Sequence, residues 1–231
     1  MSIITTMEFK DFITHNYTFA DLVRDIANEE PFAFVRFGDG ELSAMFSPEK
    51  KRNCDGHPYH PTLRTELMKA FRELQYRPKV RFGIQRLGWE MYREQINSHS
   101  IEDDFCNADL IHHASIKGRI KPMFDAIDDF GGDVVLVGPK YLDSPSLPFN
   151  VNHFIEIPEK NCWSKRKEIT GKMINIASHG ALFVLCASMM SNVLISDFFT
   201  GHFSMIDMGS VLDPYVGKHT RSYHKKLNIK K

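Results

Sequence analysis

Residues 33–46 read AFVRFGDGELSAMF, and the fold turns on this stretch. FAFVRF, residues 32–37, is apolar on both sides of its alternation, the pattern of a strand buried on both faces. The chain then changes abruptly to Gly38-Asp39-Gly40-Glu41 before LSAMF resumes apolar spacing of helical period. A buried strand that ends in a glycine-and-acid turn and enters a helix is the first half of a parallel β-α-β unit.

Working outward, the same alternation recurs. Thr18 and Asp21 form a capping-box start for a first helix, with Leu22, Ile26 and Ala27 on its apolar face. Pro61 opens a helix with a stripe of Leu63, Leu67, Ala70, Phe71 and Leu74. VRFGI (80–84) is a strand followed by helical WEMYREQI. Residues 116–129 read as a helix interrupted by Pro122 and ended by Gly131-Gly132. VVLV (134–137), FIEI (154–157), ALFVLC (181–186) and SMIDM (204–208) are further strands, with helices over 163–178 and SMMSNVLISDFF. The predicted fold is α/β: a Rossmann-like, mainly parallel sheet with helices on both faces, in a single domain over residues 1–231.

Lys+Arg and Asp+Glu both number 29, so the formal net charge is zero, which argues against non-specific coating of nucleic acid. Cys54, Cys106, Cys162 and Cys186 are scattered without a C-x-x-C pair and read as reduced thiols of a cytoplasmic protein. The opening MSIITTMEFKDF lacks a secretory apolar core, and the ALFVLCASMM run is too short to span a bilayer. Walker A, G-x-G-x-x-G after the first strand and G-x-S-x-G are all absent, which excludes those classes by motif.

Glycines, acids, amides and cations gather after the predicted strands: GDGE, QRLG, GPK, PEKN, SMMS and GSVLD. In an open parallel sheet those positions rim the ligand crevice. Asp39 and Glu41 offer two hard oxygen ligands for Mg²⁺ or Mn²⁺, and Gly38 and Gly40 allow a close backbone approach. A second reading makes Asp39 the N-cap of LSAMF and places Glu41 in the helix dipole, and the two readings can coexist. Arg36 could contact a phosphate or orient a carboxylate. Cys54, His57 and His60 are spaced C-x2-H-x2-H without an evident fourth zinc ligand, and Asp55 and His57 could instead face an acceptor sugar. His112 and His113 read as packed or surface side chains.

RFGDGE, residues 36–41, resembles the mark of the GT-D fold glycosyltransferases, a bacterial and phage group first catalogued as a domain of unknown function. VVLVGPKYL, IEIPEKNCW and IDMGSVLDPYVGKHTRSY resemble further segments of that family, in order, so the similarity runs from about residue 30 to residue 223. One departure is ASMMS (187–191), where many relatives carry Gly-Pro. The resemblance implies a metal-dependent hexosyl- or pentosyltransferase using a nucleoside diphosphate sugar, usually UDP-linked, with Mn²⁺ or Mg²⁺ at Asp39 and Glu41. Donor contacts are then expected from Arg36, Phe37, Gly38, Gly40, Gly138, Lys140, Asn161, Lys218 and Arg221, and His219 adds positive charge. Asn161 and Trp163 could hold the nucleobase, although Trp163 also reads as a helix-entry core residue. Glu41 and Asp213 are the candidate catalytic bases and Asp207 the reserve; Asp207 and Asp213 also read as turn residues.

The expected acceptor is a glycan, a small molecule or a hydroxymethylated base in phage DNA. For the last, KKR (50–52), Arg77, Lys79, Arg81 and the HKKLNIKK tail could form a cationic groove. A homo-oligomer stays open. A metal-dependent hydrolase and a non-catalytic nucleotide-sugar-binding module are the competing classes.

Overall fold

In the computed structural model of the chain, residues 8, 9, 13, 16–47, 49, 60–100, 105–177 and 180–227 are described. Their centre is a seven-stranded sheet in which every pairing is parallel: β1 (Ala33–Phe37), β2 (Val80–Ile84), β3 (Phe105–Asn107), β4 (Val134–Pro139), β5 (His153–Ile157), β6 (Leu182–Leu185) and β7 (Ser204–Asp207). The spatial order is β3-β2-β1-β7-β6-β4-β5. From β1 the chain winds outward through β2 and β3. The second half of the chain fills the other side and returns to β1 as β7. The β1/β7 junction is therefore the switch point, where crossovers leave a crevice above the strand ends.

Alternation along β1 assigns its side chains to two layers. Ala33, Val35 and Phe37 enter one core with α2 (Asp39–Phe46), α3 (Pro61–Leu74), α4 (Arg86–His99), α7 (Arg166–Ile176) and α8 (Met190–Phe198). Phe34 enters the other with α1 (Phe19–Ala27), α5 (Leu110–Ile116) and α6 (Lys121–Asp128). Phe37 is fully buried, with ring centroids 5.0 Å from Phe71 and 4.9 Å from Phe82. No helix among the described residues is long and apolar enough to cross a membrane.

Thr18 caps α1 as expected: its hydroxyl accepts from Asp21 N–H, and Asp21 accepts from Thr18 N–H at 2.8 Å. Pro122 corrects the sequence reading. It lies in the first turn of α6, where its missing N–H costs no helical bond, so it opens that helix rather than interrupting one. The LIHHASI segment is a separate helix, α5, and β3 was not foreseen. Cys54, Asp55, His57 and KKR at 50–52 lie outside the described residues. His60 caps α3, its Nδ1 accepting from Thr62 N–H at 3.2 Å. Cys106, Cys162 and Cys186 are free thiols.

Gly83 in β2 couples the sheet to its crevice. A Cβ there would fall 2.9 Å from Ala108 Cα and 3.0 Å from Val35 O, with backbone in the way on both sides. Gly83→Ala is expected to lower stability by about 1–3 kcal/mol through overpacking, read as a lower urea midpoint at unchanged slope. An unchanged midpoint would show that the backbone relaxes freely there.

Candidate active site

A cleft of about 280 Å³ opens above the ends of β1 and β7. The start of α2 forms one wall. Gly38 occupies the cap position and Asp39 is the first helical residue, which corrects the reading of Asp39 as the N-cap. Glu41 turns back so that Oε2 accepts from Gly38 N–H at 2.9 Å, and Asp39 N–H donates to Gln85 Oε1 at 2.9 Å. Two of the helix's open donors are thereby satisfied by side chains. A Cβ on Gly38 would sit 3.0 Å from Glu41 Oε2, so glycine makes room for that carboxylate. Among the described residues, no hydrogen bond or ion pair engages the Asp39 carboxylate, which stands half-buried on the cleft wall.

Arg36 lies across the floor. Its Nε donates to Ala108 O at 2.9 Å, and its carbonyl accepts from Asn192 Nδ2 at 2.7 Å. Gly209, at φ +60°, passes so close that a Cβ would meet Arg36 Nη1 at 2.6 Å. Asp207, at the end of β7, is 6% exposed, and its Oδ1 accepts from Gly209 N–H at 3.1 Å. Burial pushes the Asp207 carboxyl up to about 6, against the pull of Arg36. Burial, and then the charge of Asp207, push Glu41 up to about 7. Each acid resists ionisation because it is shielded from water and, for Glu41, because a second acid faces it.

Beside them, Gln85 Nε2 donates to Asp109 Oδ1 at 3.2 Å, and His112 Nδ1 lies 3.7 Å from the same oxygen. Burial would raise the Asp109 carboxyl, but His112, Arg36 and Gln85 together hold it below the usual range. The His112 ring packs on Tyr223 at 4.0 Å between centroids. The C-terminal segment thus closes one side of the cleft with Arg221 and Tyr223. In the sequence, Gln85 stands out only as the amide of QRLG and Tyr223 only within the C-terminal segment; Asp109 carries no signal, and His112 reads as a packed or surface side chain.

The remaining sequence-predicted residues divide by location. Arg36, Gly38, Asp39, Gly40, Glu41 and Arg221 line the cleft together. Phe37 does not: strand alternation sends its ring into the core. Gly138 is buried, with Leu142 Cδ1 at 2.8 Å from where a Cβ would lie, so it serves close packing. Lys140 is exposed and paired with Asp143 at 2.7 Å; Lys218 is exposed over the Tyr141 ring. Asp213 is 3% exposed, and its carboxylate accepts from the hydroxyls of Tyr141 and Thr220, so it ties down the C-terminal segment instead of lining the cleft. Asn161 and Trp163 line a second cavity. Arg77 is held by the carbonyls of Ser196 and Phe199, and Arg81 by Asp25 at 3.1 Å, so neither is available for a cationic groove. Lys79 has its backbone at φ +64°, and the tail is described only to residue 227.

No protein-family model matches the sequence, and no curated protein does. Solved structures do. One is described as domain of unknown function 1792 with a distinct glycosyltransferase fold; at TM-score 0.69 and 17% identity the match covers 93% of this chain and 90% of that one. Another, described as a new glycosyltransferase of the same domain from Streptococcus sanguinis, matches at TM-score 0.70 and 14% identity, covering 93% of each chain. The chain shares the fold of these structures, described there as a distinct glycosyltransferase fold. Within that fold, the acid-lined cleft lies at the switch point of the sheet.

The raised carboxyls of Glu41 and Asp207 set a pH dependence. The folded chain holds these protons more tightly than the unfolded chain, so ionisation lowers stability as pH rises from about 4 to about 7. Glu41→Gln keeps an acceptor for Gly38 N–H and removes one charge. At about 1.4 kcal/mol per pKa unit, discounted for partial exposure, it should stabilise the protein by ~2 kcal/mol at pH 8 and by nothing at pH 4.5. Urea unfolding in EDTA at the two pH values checks this; a difference independent of pH would contradict it.

Proposed function

We propose that the protein is a metal-dependent glycosyltransferase that moves a sugar from a nucleoside diphosphate donor, UDP-linked, to a hydroxyl acceptor. The observation that carries this reading is the Asp39 carboxylate, without a partner among the described residues, beside Glu41 at the switch point of a glycosyltransferase fold.

The donor set suits Mg²⁺ or Mn²⁺. Among the described residues, no group of three or more His, Cys, Asp or Glu side chains could cage a metal. Asp39 and the second oxygen of Glu41 supply hard ligands, and ions of this kind bind through one or two carboxylates plus substrate phosphates. When bound, the ion would neutralise charge on the diphosphate leaving group. The chain's own residues do the rest. Arg36 and Arg221 place positive charge in the cleft. Gln85 fixes the first turn of α2 and with it the direction of Asp39. Asp207 is the carboxylate left to accept the acceptor's proton, since Glu41 is committed to the metal and Asp213 lies outside the cleft; burial makes Asp207 more basic than an ordinary aspartate. Asp207→Asn is expected to reduce transfer by about 10²–10⁴-fold with donor binding retained.

The reading predicts cooperative binding. Mn²⁺ alone should shift the melting temperature little, UDP with Mn²⁺ should raise it by several degrees, and Asp39→Ala should remove that shift. Differential scanning fluorimetry with the four combinations decides it. An Asp39→Ala protein that still responds fully to UDP and Mn²⁺ would contradict the metal assignment.

A further inference from the structure

We infer that a third cavity, between the starts of α4 and α5 at the ends of β2 and β3, is the acceptor's seat, and that the acceptor is a neutral sugar rather than a base in DNA. This assignment rests on the glycosyltransferase reading and completes it with the second substrate.

The cavity holds about 400 Å³, within the range of small-molecule sites. It lies behind the wall of the acidic cleft. Gln85 and His112 line the cleft, whereas their chain neighbours Arg86 and His113 line the cavity together with Asp109. Gln85 Nε2 donates to Asp109 Oδ1 at 3.2 Å, so this hydrogen-bonded pair is the common wall of the two spaces. A hydroxyl that reaches over the pair arrives at the first turn of α2, which Gln85 also holds.

Sugar hydroxyls both donate and accept, and a pyranose ring offers an apolar C–H face between them. The cavity matches that mixture. Glu90 and Asp109 supply acceptors, and Arg86 and Asn107 supply donors. Asn107 is fixed through its Oδ1, which accepts from Asp109 N–H at 2.8 Å and leaves the amide N–H groups as its donors. Phe9 and Leu87 supply the apolar face, and Phe9 is braced on the buried Trp89 ring at 5.6 Å between centroids. The charge speaks against DNA. Arg86 stands against Glu90 and Asp109, and it is already paired with Glu90 at 2.8 Å. A phosphodiester backbone would meet net negative charge here.

Exposed apolar groups supply a second, independent observation. Five large apolar side chains stand exposed among the described residues, and three of them, Leu87, Met91 and Ile116, lie on α4 and α5. Met91 follows Leu87 by one helical turn, and Ile116 follows His113 by one turn. Apolar groups gathered at the rim of a polar cavity mark a binding surface.

Saturation-transfer NMR with methyl glycosides of the common hexoses and N-acetylhexosamines, each at millimolar concentration, tests the assignment. Titrations are run with and without UDP and Mg²⁺ on the unmodified protein, on Leu87→Ser and on Glu90→Ala; both positions are exposed and lie outside the acidic cleft. The predicted result is that at least one glycoside binds, that saturating UDP with Mg²⁺ does not displace it, and that each substitution weakens it about tenfold, the loss of one fitted contact. UDP binding should be unchanged in all three proteins. A duplex carrying hydroxymethylcytosine is the opposing probe: Glu90→Ala removes negative charge, so an anionic acceptor seated here would bind that variant more tightly. That outcome would overturn the assignment. So would the absence of any bound glycoside on a protein that binds UDP, displacement of the glycoside by UDP, or an affinity that either substitution leaves unchanged. If UDP with Mg²⁺ does not bind the unmodified protein, the glycosyltransferase reading itself fails, and the acceptor assignment with it.

Discussion

Two carboxylates that resist ionisation, Glu41 and Asp207, face each other over a single guanidinium at the end of a parallel sheet. Everything else about the site follows from holding that arrangement. Like charges in a shielded place repel and shed solvation, so the fold must fix them or lose them. Glu41 is fixed by the first turn of α2, Asp207 by the turn at Gly209, and Arg36 by the Ala108 carbonyl. Gly209 and Gly38 are there because a side chain would displace Arg36 or Glu41. Under the proposed function, a cation with its anionic ligand would relieve the repulsion that this cluster carries.

Strand order explains why the cluster forms where it does. β1 and β7 are neighbours although about 170 residues separate them, and their ends bring Arg36 and Asp207 into one crevice. The segments that follow β2 and β3 add Gln85 and then Asp109 and His112 from the other side, joined to α2 through one glutamine. The C-terminal segment then closes over the rim. It is secured by the buried Asp213 and by His224, which is fully buried and held neutral, its imidazole pushed down to about 4 by burial and by the nearby Arg221 charge.

Local patterns in the sequence revealed much of this and concealed a definable part. Six of the seven strands announce themselves as apolar runs, and GDGE marks the cleft because its residues are contiguous. β3 has only three residues at a sheet edge, too few for a period to show. Asp109 and His112 look ordinary in the chain, because their significance comes from a strand order that no local signal encodes. Phe37 and Gly138 were misjudged from their neighbours in the motif. Alternation alone places Phe37 on the face opposite Arg36, which would have removed it from the cleft. Asp213 carries an acid next to a proline, and only the tertiary contacts of Tyr141 and Thr220 reveal it as a strut.

The proposed chemistry depends on the position of one cation. A crystal of the protein grown with Mn²⁺ and UDP, with data collected at the manganese absorption edge, locates it directly. The predicted result is an anomalous peak about 2 Å from an Asp39 carboxylate oxygen, shared with the diphosphate in the cleft above β1 and β7. Manganese and nucleotide bound away from that cleft, with Asp39 turned aside, would contradict it.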